Sequence, residues 1–189
     1  MLDKAYKSAT QVKLNNATFA WFKKNYFHLM QQNKELIIYT DGAARGNPGP
    51  GGYGVILMWG DKRKELSAGY RLTTNNRMEL LAVITALETL TKKNIPLTIY
   101  SDSQYVINSV EKKWLDNWIR TDFKGGKKNK DLWLRYYKLS KDFIVKFKWV
   151  RGHADNVFNN RCDELATAAA DGNNLLIDEV YEMETGKLL

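Results

Sequence analysis

The sequence predicts a mixed α/β domain, a sheet flanked by helices, and three observations carry that prediction. β-branched and aromatic runs with short turns between them follow one another in the first part of the chain. Apolar residues at helical spacing then alternate with further strand-like runs. Two of those runs end in an aspartate beside small polar residues, at Asp41 and at Asp102.

In chain order, Leu36–Thr40, Tyr53–Trp59 and Lys64–Arg71 read as strands. Gly60-Asp61-Lys62 is a hairpin signal, so these three are expected to form an antiparallel meander. The cluster from Gly46 to Gly52 reads as turn. Thr73-Thr74-Asn75-Asn76 offers cap residues for a helix whose apolar face runs from Met78 to Leu90. Pro96–Asp102 is a fourth strand. Ser103–Lys112, Trp114–Arg120 and Asp131–Lys141 read as helices, and Phe143–Val150 as a fifth strand. A polar loop carrying His153 follows, then an Ala-rich helix over Asn159–Ala170 with Asp163 in its first turns.

Composition narrows the class. A chain of 189 residues, 44% of them hydrophobic, suffices for one well-cored domain with appendages. No apolar run is long enough to span a membrane and no leader resembles a secretion signal. The single Cys162 excludes an internal disulfide and suits a reducing compartment, so a cytoplasmic monomer is expected. Lys and Arg number 29 against 21 acids, a net charge of +8 that points to a polyanionic partner.

Residues 1–34 hold six lysines against one aspartate, with Phe19, Phe22, Tyr26 and Leu29 at helical spacing. They read as a basic extension with an amphipathic helix docked on a domain spanning residues 35–171. Residues 172–189 read as an acidic C-terminal tail.

For any one of Asp41, Glu79, Asp102 and Asp163, the ordinary reading is a cap or a surface charge. As a set they read differently, because strand ends and helix starts share one edge of an α/β sheet. Four acids there without Arg partners repel one another, and divalent cations relieve that. An all-oxygen donor set without clustered Cys or His selects Mg²⁺ or Mn²⁺ over Zn²⁺.

Six stretches together resemble type 1 ribonuclease H. They are Thr40-Asp41-Gly42, Gly46–Gly54, Thr73–Leu80, Ser101–Val106, Trp149–Ala154 and Arg161–Ala166, in that family's order over about residues 35–171. The resemblance implies a five-stranded mixed sheet flanked by helices. It implies endonucleolytic cleavage of the RNA strand of RNA–DNA hybrids, leaving 3′-hydroxyl and 5′-phosphate ends. It also implies two Mg²⁺ ions, with Mn²⁺ as a substitute, held by Asp41, Glu79, Asp102 and Asp163. By the same resemblance Asp41 bridges both ions, and His153 serves proton transfer or product release.

Substrate contacts are expected at Asn47, Asn75 and Gln104, amides on loops beside the acids that can address 2′-hydroxyls and base edges. Thr74 is a DNA-phosphate contact by resemblance. Residues 112–130 hold seven basic residues against two acids, interleaved with Trp114, Trp118 and Phe123. They resemble the basic handle of bacterial ribonucleases H, which places Trp118, Lys124, Lys127 and Lys128 on the hybrid. A solvated basic face over core-filling Trp residues is the other reading, and for Trp114 the two stand level.

Two departures from the family pattern stand out. The loop after His153 reads Asp155-Asn-Val-Phe-Asn-Asn160 where relatives carry a Gly-His-Pro-bearing sequence, and the handle is short. Two rival readings remain. One is a catalytically silent hybrid-binding protein, opposed by four intact acids. The other is the ribonuclease H portion of a retroelement reverse transcriptase, opposed by a start at Met1 with no polymerase ahead of it.

Overall fold

The structure, a computed structural model, describes residues 35–152 and 155–187. The expected N-terminal helix and His153 lie outside those residues. Five strands form one sheet: β1 (Leu36–Ala44), β2 (Gly49–Trp59), β3 (Lys62–Thr73), β4 (Pro96–Ser101) and β5 (Ile144–Trp149). Their order is β3-β2-β1-β4-β5. The first three pair antiparallel, as the meander required, while β4 and β5 join parallel to β1.

Alternation along β1 divides the core. Leu36 and Ile38 face the main cluster, where α1 (Asn75–Glu88) lies among Val55, Leu57, Leu97 and Ile99. Ile37 and Tyr39 face the other side, with Ile56, Met58, Phe158 and the α5 helix (Val157–Ala170). Met78, Leu80, Leu81, Ala82, Val83, Ile84, Ala86 and Leu87 of α1 are all buried, so this helix is enclosed nearly all round.

Three further helices, α2 (Gln104–Glu111), α3 (Trp114–Arg120) and α4 (Lys130–Ser140), follow β4 and precede β5. Trp133 of α4 is fully buried, and its indole N–H donates to the Tyr105 hydroxyl at 2.6 Å. Helix α5 closes over the second face of the sheet. It sits so tightly that a Cβ on Gly54 would lie 2.1 Å from the Cys162 carbonyl oxygen.

Several boundaries differ from the sequence reading. Strand β1 runs past Asp41 to Ala44, and β2 starts at Gly49, inside the stretch read as turn. Glycines there lack strand propensity but admit the helices close to the sheet. Helix α5 starts two residues before Asn159, because the Asn156 side chain caps it by accepting from the Phe158 and Asn159 amides.

The segment read as an acidic tail is docked. Leu176 exchanges backbone hydrogen bonds with Gly69 and Arg71 beside β3, and α6 (Glu179–Glu184) follows. Arg77 of α1, 1% exposed, bonds both Asp178 oxygens at 2.7 Å and both Asp131 oxygens at 2.9 and 2.7 Å. Among the described residues, no helix is long and apolar enough to cross a membrane.

Candidate active site

Asp41 lies within β1 two residues past its last pairing with β4, Tyr39 beside Tyr100 in parallel register, and so stands next to the end of β4. Asp102 follows the last residue of β4 and precedes Ser103, which caps α2 by accepting from the Val106 amide at 3.2 Å. Glu79 comes from the first turns of α1, whose N-cap is Thr74. Asp163 comes from the second turn of α5. All four carboxylates line one open cleft, with Asn75 and the backbone of Gly42–Ala44 on its wall.

The electrostatics of the cleft are unfavourable to charge. Asp41 is 7% exposed and, among the described residues, accepts one hydrogen bond, from the Gly42 amide at 2.7 Å. Burial, then the charge of Asp102, push its pKa up to about 8, against the Gly42 bond that lowers it. Burial likewise pushes Glu79 up to about 7, although Ser103 and Asn75 both donate to its oxygens. Among the described residues no Lys or Arg forms an ion pair with Asp41, Glu79 or Asp102. Nor, among them, is any group of three His, Cys, Asp or Glu side chains already gathered as a metal cage. Buried carboxylates without cationic partners, carrying oxygen donors only, suit hard divalent cations. Cys162 plays no such part, because burial raises its thiol pKa and keeps it protonated.

A second cleft adjoins the first. Asn47, Thr74 and Asn76 form one of its walls, Gly126–Lys130 another, and Tyr181, Glu184 and Thr185 of the C-terminal segment a third. The two clefts meet at the start of α1, where the Asn75 amide donates to Asn47 Oδ1 at 3.2 Å. Sequence reasoning missed the third wall, since nothing periodic marks residues 176–185.

This arrangement and the order of its motifs correspond to a known family. The family model for RNase H matches residues 33–171. The chain belongs to the ribonuclease H family. It is 54% identical over 149 residues to the ribonuclease H of Desulforamulus reducens, an alignment covering 77% of this chain and 93% of that one. It is 52% identical over 152 residues to the ribonuclease H of Syntrophus aciditrophicus, covering 78% and 87%. Among solved structures it resembles LC9-RNase H1, a type 1 RNase H, with a TM-score of 0.66 and 26% identity over 82% of this chain and 83% of that one. LC11-RNase H1 in complex with RNA/DNA hybrid matches with a TM-score of 0.56 and 27% identity, over 72% and 97%. The chain is thus an enzyme of this family, a hydrolase with ribonuclease H activity.

The remaining expected substrate residues fall into two groups. Asn47, Thr74, Lys127 and Lys128 share the second cleft, and Asn75 lines the first. Gln104 stands exposed at the start of α2, where its side-chain oxygen accepts from Asn108 at 2.9 Å. Lys124 is exposed but lines neither cleft. Trp118 is half-buried, packed on Trp133 and Phe123, with Lys127 5.8 Å above its ring. Trp114 is 43% exposed, with Lys112 5.3 Å above its ring, so it does not fill the core.

Proposed function

We propose that the chain cleaves the RNA strand of RNA–DNA hybrids by metal-assisted hydrolysis, leaving 3′-hydroxyl and 5′-phosphate ends. The observation that carries this is the line of four carboxylates in one cleft, two of them raised toward neutrality by burial and crowding. In this hydrolysis the oxygen of water bonds to phosphorus, the P–O3′ bond breaks, and the leaving oxygen takes up a proton. The family is in general divalent-metal dependent. Two Mg²⁺ ions, or Mn²⁺ in their place, would be held by Asp41, Glu79, Asp102 and Asp163. When bound, they supply an activated nucleophile and neutralise charge on the phosphoryl oxygens and the leaving group.

The chain's own residues do the rest. Asp41 and Glu79, raised by burial, would hold a cation in their deprotonated form. Ser103 and Asn75 hold the Glu79 carboxylate in one orientation. Asn75 and Gln104 offer amides to the RNA strand, where the 2′-hydroxyl distinguishes RNA from DNA. Thr74, with Lys127 and Lys128 across the second cleft, is offered to a phosphate of the DNA strand, and Asn47 joins Asn75 and Gln104 as an amide for the RNA strand. Lys124 and Trp118 extend that basic face along the duplex, and His153 is assigned to proton exchange near neutral pH. The domain so used is residues 35–171 with the C-terminal segment docked on it, preceded by the basic extension of residues 1–34, acting as a monomer in the cytoplasm.

Labelled hybrid, RNA duplex, DNA duplex and single-stranded RNA incubated with the protein and Mg²⁺ test the reading. Only hybrid is expected to be cut, in its RNA strand, with products that a ligase requiring 5′-phosphate accepts. Efficient cutting of plain RNA, or binding of hybrid without cleavage, would overturn it.

A further inference from the structure

Asp102 is held from three directions. The Trp149 indole N–H donates to the Asp102 backbone carbonyl at 3.1 Å. Gly152 passes so close that a Cβ there would lie 2.4 Å from Asp102 Oδ2. Asn159 reaches that same oxygen, its Nδ2 donating over a long 3.4 Å.

Asn159 is the unusual member of the three. It is 1% exposed, and its other amide atom, Oδ1, is buried with no hydrogen-bond partner among the described residues. A buried amide oxygen without a donor destabilises a fold, and an aliphatic side chain of similar size would fill the space without that penalty. The amide has one workable orientation. Turned over, it would set Oδ1 against a carboxylate oxygen, acceptor against acceptor. Its position adds a second point. Asn159 lies four residues before Asp163 on α5, so both side chains project from one face of the same helix. The helix that delivers one acid therefore also grips another acid, which arrives from β4.

We propose that Asn159 is a positioning residue that ties α5 to the Asp102 carboxylate and so fixes the separation of Asp102 and Asp163 for divalent-cation binding. The inference rests on the metal reading above. Partners that orient a metal-binding side chain typically change metal affinity about 10–100-fold when removed. The arrangement concentrates that effect in a group that gives the metal-free fold little or nothing.

The test uses the full chain with Asn159→Leu and Asn159→Ala, the second of which only removes atoms should leucine overfill the site. Two quantities are read against Mg²⁺ concentration: the rise in Tm without substrate, and initial cleavage rate at saturating hybrid. Both midpoints are expected to shift upward about tenfold. The rate at saturating Mg²⁺ and the KM for hybrid should change far less, and the Tm in EDTA should stay level or rise in the leucine variant. Wild-type midpoints in both variants would make Asn159 a packing residue and overturn the inference, whatever happens to the EDTA Tm. Failure of the metal reading looks different: wild type itself would show neither Mg²⁺-dependent stabilisation nor Mg²⁺-dependent cleavage, and Asp102→Asn would change neither.

Discussion

Gly42 passes under the start of α1 so closely that a Cβ on it would lie 2.3 Å from the backbone nitrogen of Glu79. One acid's strand and another acid's helix are thereby fixed to each other by backbone contact, with no side chain between them. The residue that makes this possible directly follows Asp41.

Gly42→Ala is therefore expected to act on both acids at once. The added methyl meets backbone, which cannot swing aside, so α1 must lift from β1. Overpacking of this kind costs about 1–3 kcal/mol. Cleavage should fall further than stability alone explains, because the Asp41–Glu79 separation changes. Urea unfolding and cleavage rate, measured on the same preparation, check this; wild-type rates at an unchanged midpoint would refute the close approach of strand and helix.

The raised pKa values of Asp41 and Glu79 set the pH dependence of metal-free stability. In the unfolded chain such carboxylates titrate near about 4. In the fold Asp41 holds its proton to about 8 and Glu79 to about 7. Between those limits the folded state binds more protons than the unfolded one, so stability falls as pH rises. The favourable contribution is complete below the unfolded pKa and lost once pH passes the folded value. In EDTA, urea midpoints should decline from about pH 5 to about pH 8. Asp41→Asn should flatten the decline, leave stability near neutral pH equal or higher, and abolish cleavage. A turn-capping Asp41 predicts the reverse, a loss of about 0.5–2 kcal/mol with activity kept.

The strands were legible for different reasons: β1, the later part of β2 and β4 are apolar runs with β-branched or aromatic residues, β5 alternates, and β3 follows a hairpin signal. Their limits were less so. Asp41 and the glycines after it carry the signature of a turn, yet the sheet continues through them, because at Gly42 and Gly54 the room goes to a helix crossing close by. The grouping of the acids followed from their places at strand ends and helix starts, which the chain order alone makes visible. The brace on Asp102 was not visible, since an Asn in the first turn of a helix ordinarily reads as a solvated or capping residue. The C-terminal segment escaped for a related reason. Its acids suggest a solvated tail, whereas Asp178 meets a buried Arg more than a hundred positions earlier.

The handle supplies a third expectation. Lys124, Lys127 and Lys128 are exposed, whereas Lys130 is already engaged with Asp122 at 2.6 Å. Replacing the first three with Ala should weaken hybrid binding and lower the slope of log affinity against log salt by up to about 0.9 for each phosphate no longer neutralised. Lys130→Ala alone should change the slope less. Filter binding across a salt series in EDTA, where no cleavage intervenes, resolves the difference. An unaltered slope in the triple variant would mean that the basic charge acts elsewhere.

The last expectation concerns how the C-terminal segment is held. Arg77 lies buried between Asp178 and Asp131, with the Tyr181 ring 5.3 Å from its guanidinium carbon. Asp178 also accepts from the Thr73 hydroxyl at 2.9 Å, so one carboxylate joins β3, α1 and the approach to α6. Removing one partner of a buried pair is costly, because the remaining charge loses its compensation without regaining water. Asp178→Ala should therefore cost about 3 kcal/mol, the lower end of that class, since Asp131 still faces Arg77. Replacing Arg77 and Asp178 together with Met and Leu should recover only part of the loss, because Asp131, 21% exposed, is then left without Arg77. Because Asp131 opens α4 directly after the handle, the single variant should also loosen the second cleft and raise the KM for hybrid more than it lowers kcat. Urea unfolding in EDTA beside steady-state cleavage in Mg²⁺ measures both effects. A stability change below about 1 kcal/mol would place Asp178 among surface ion pairs, and the segment would then be the solvated tail that its charge suggests.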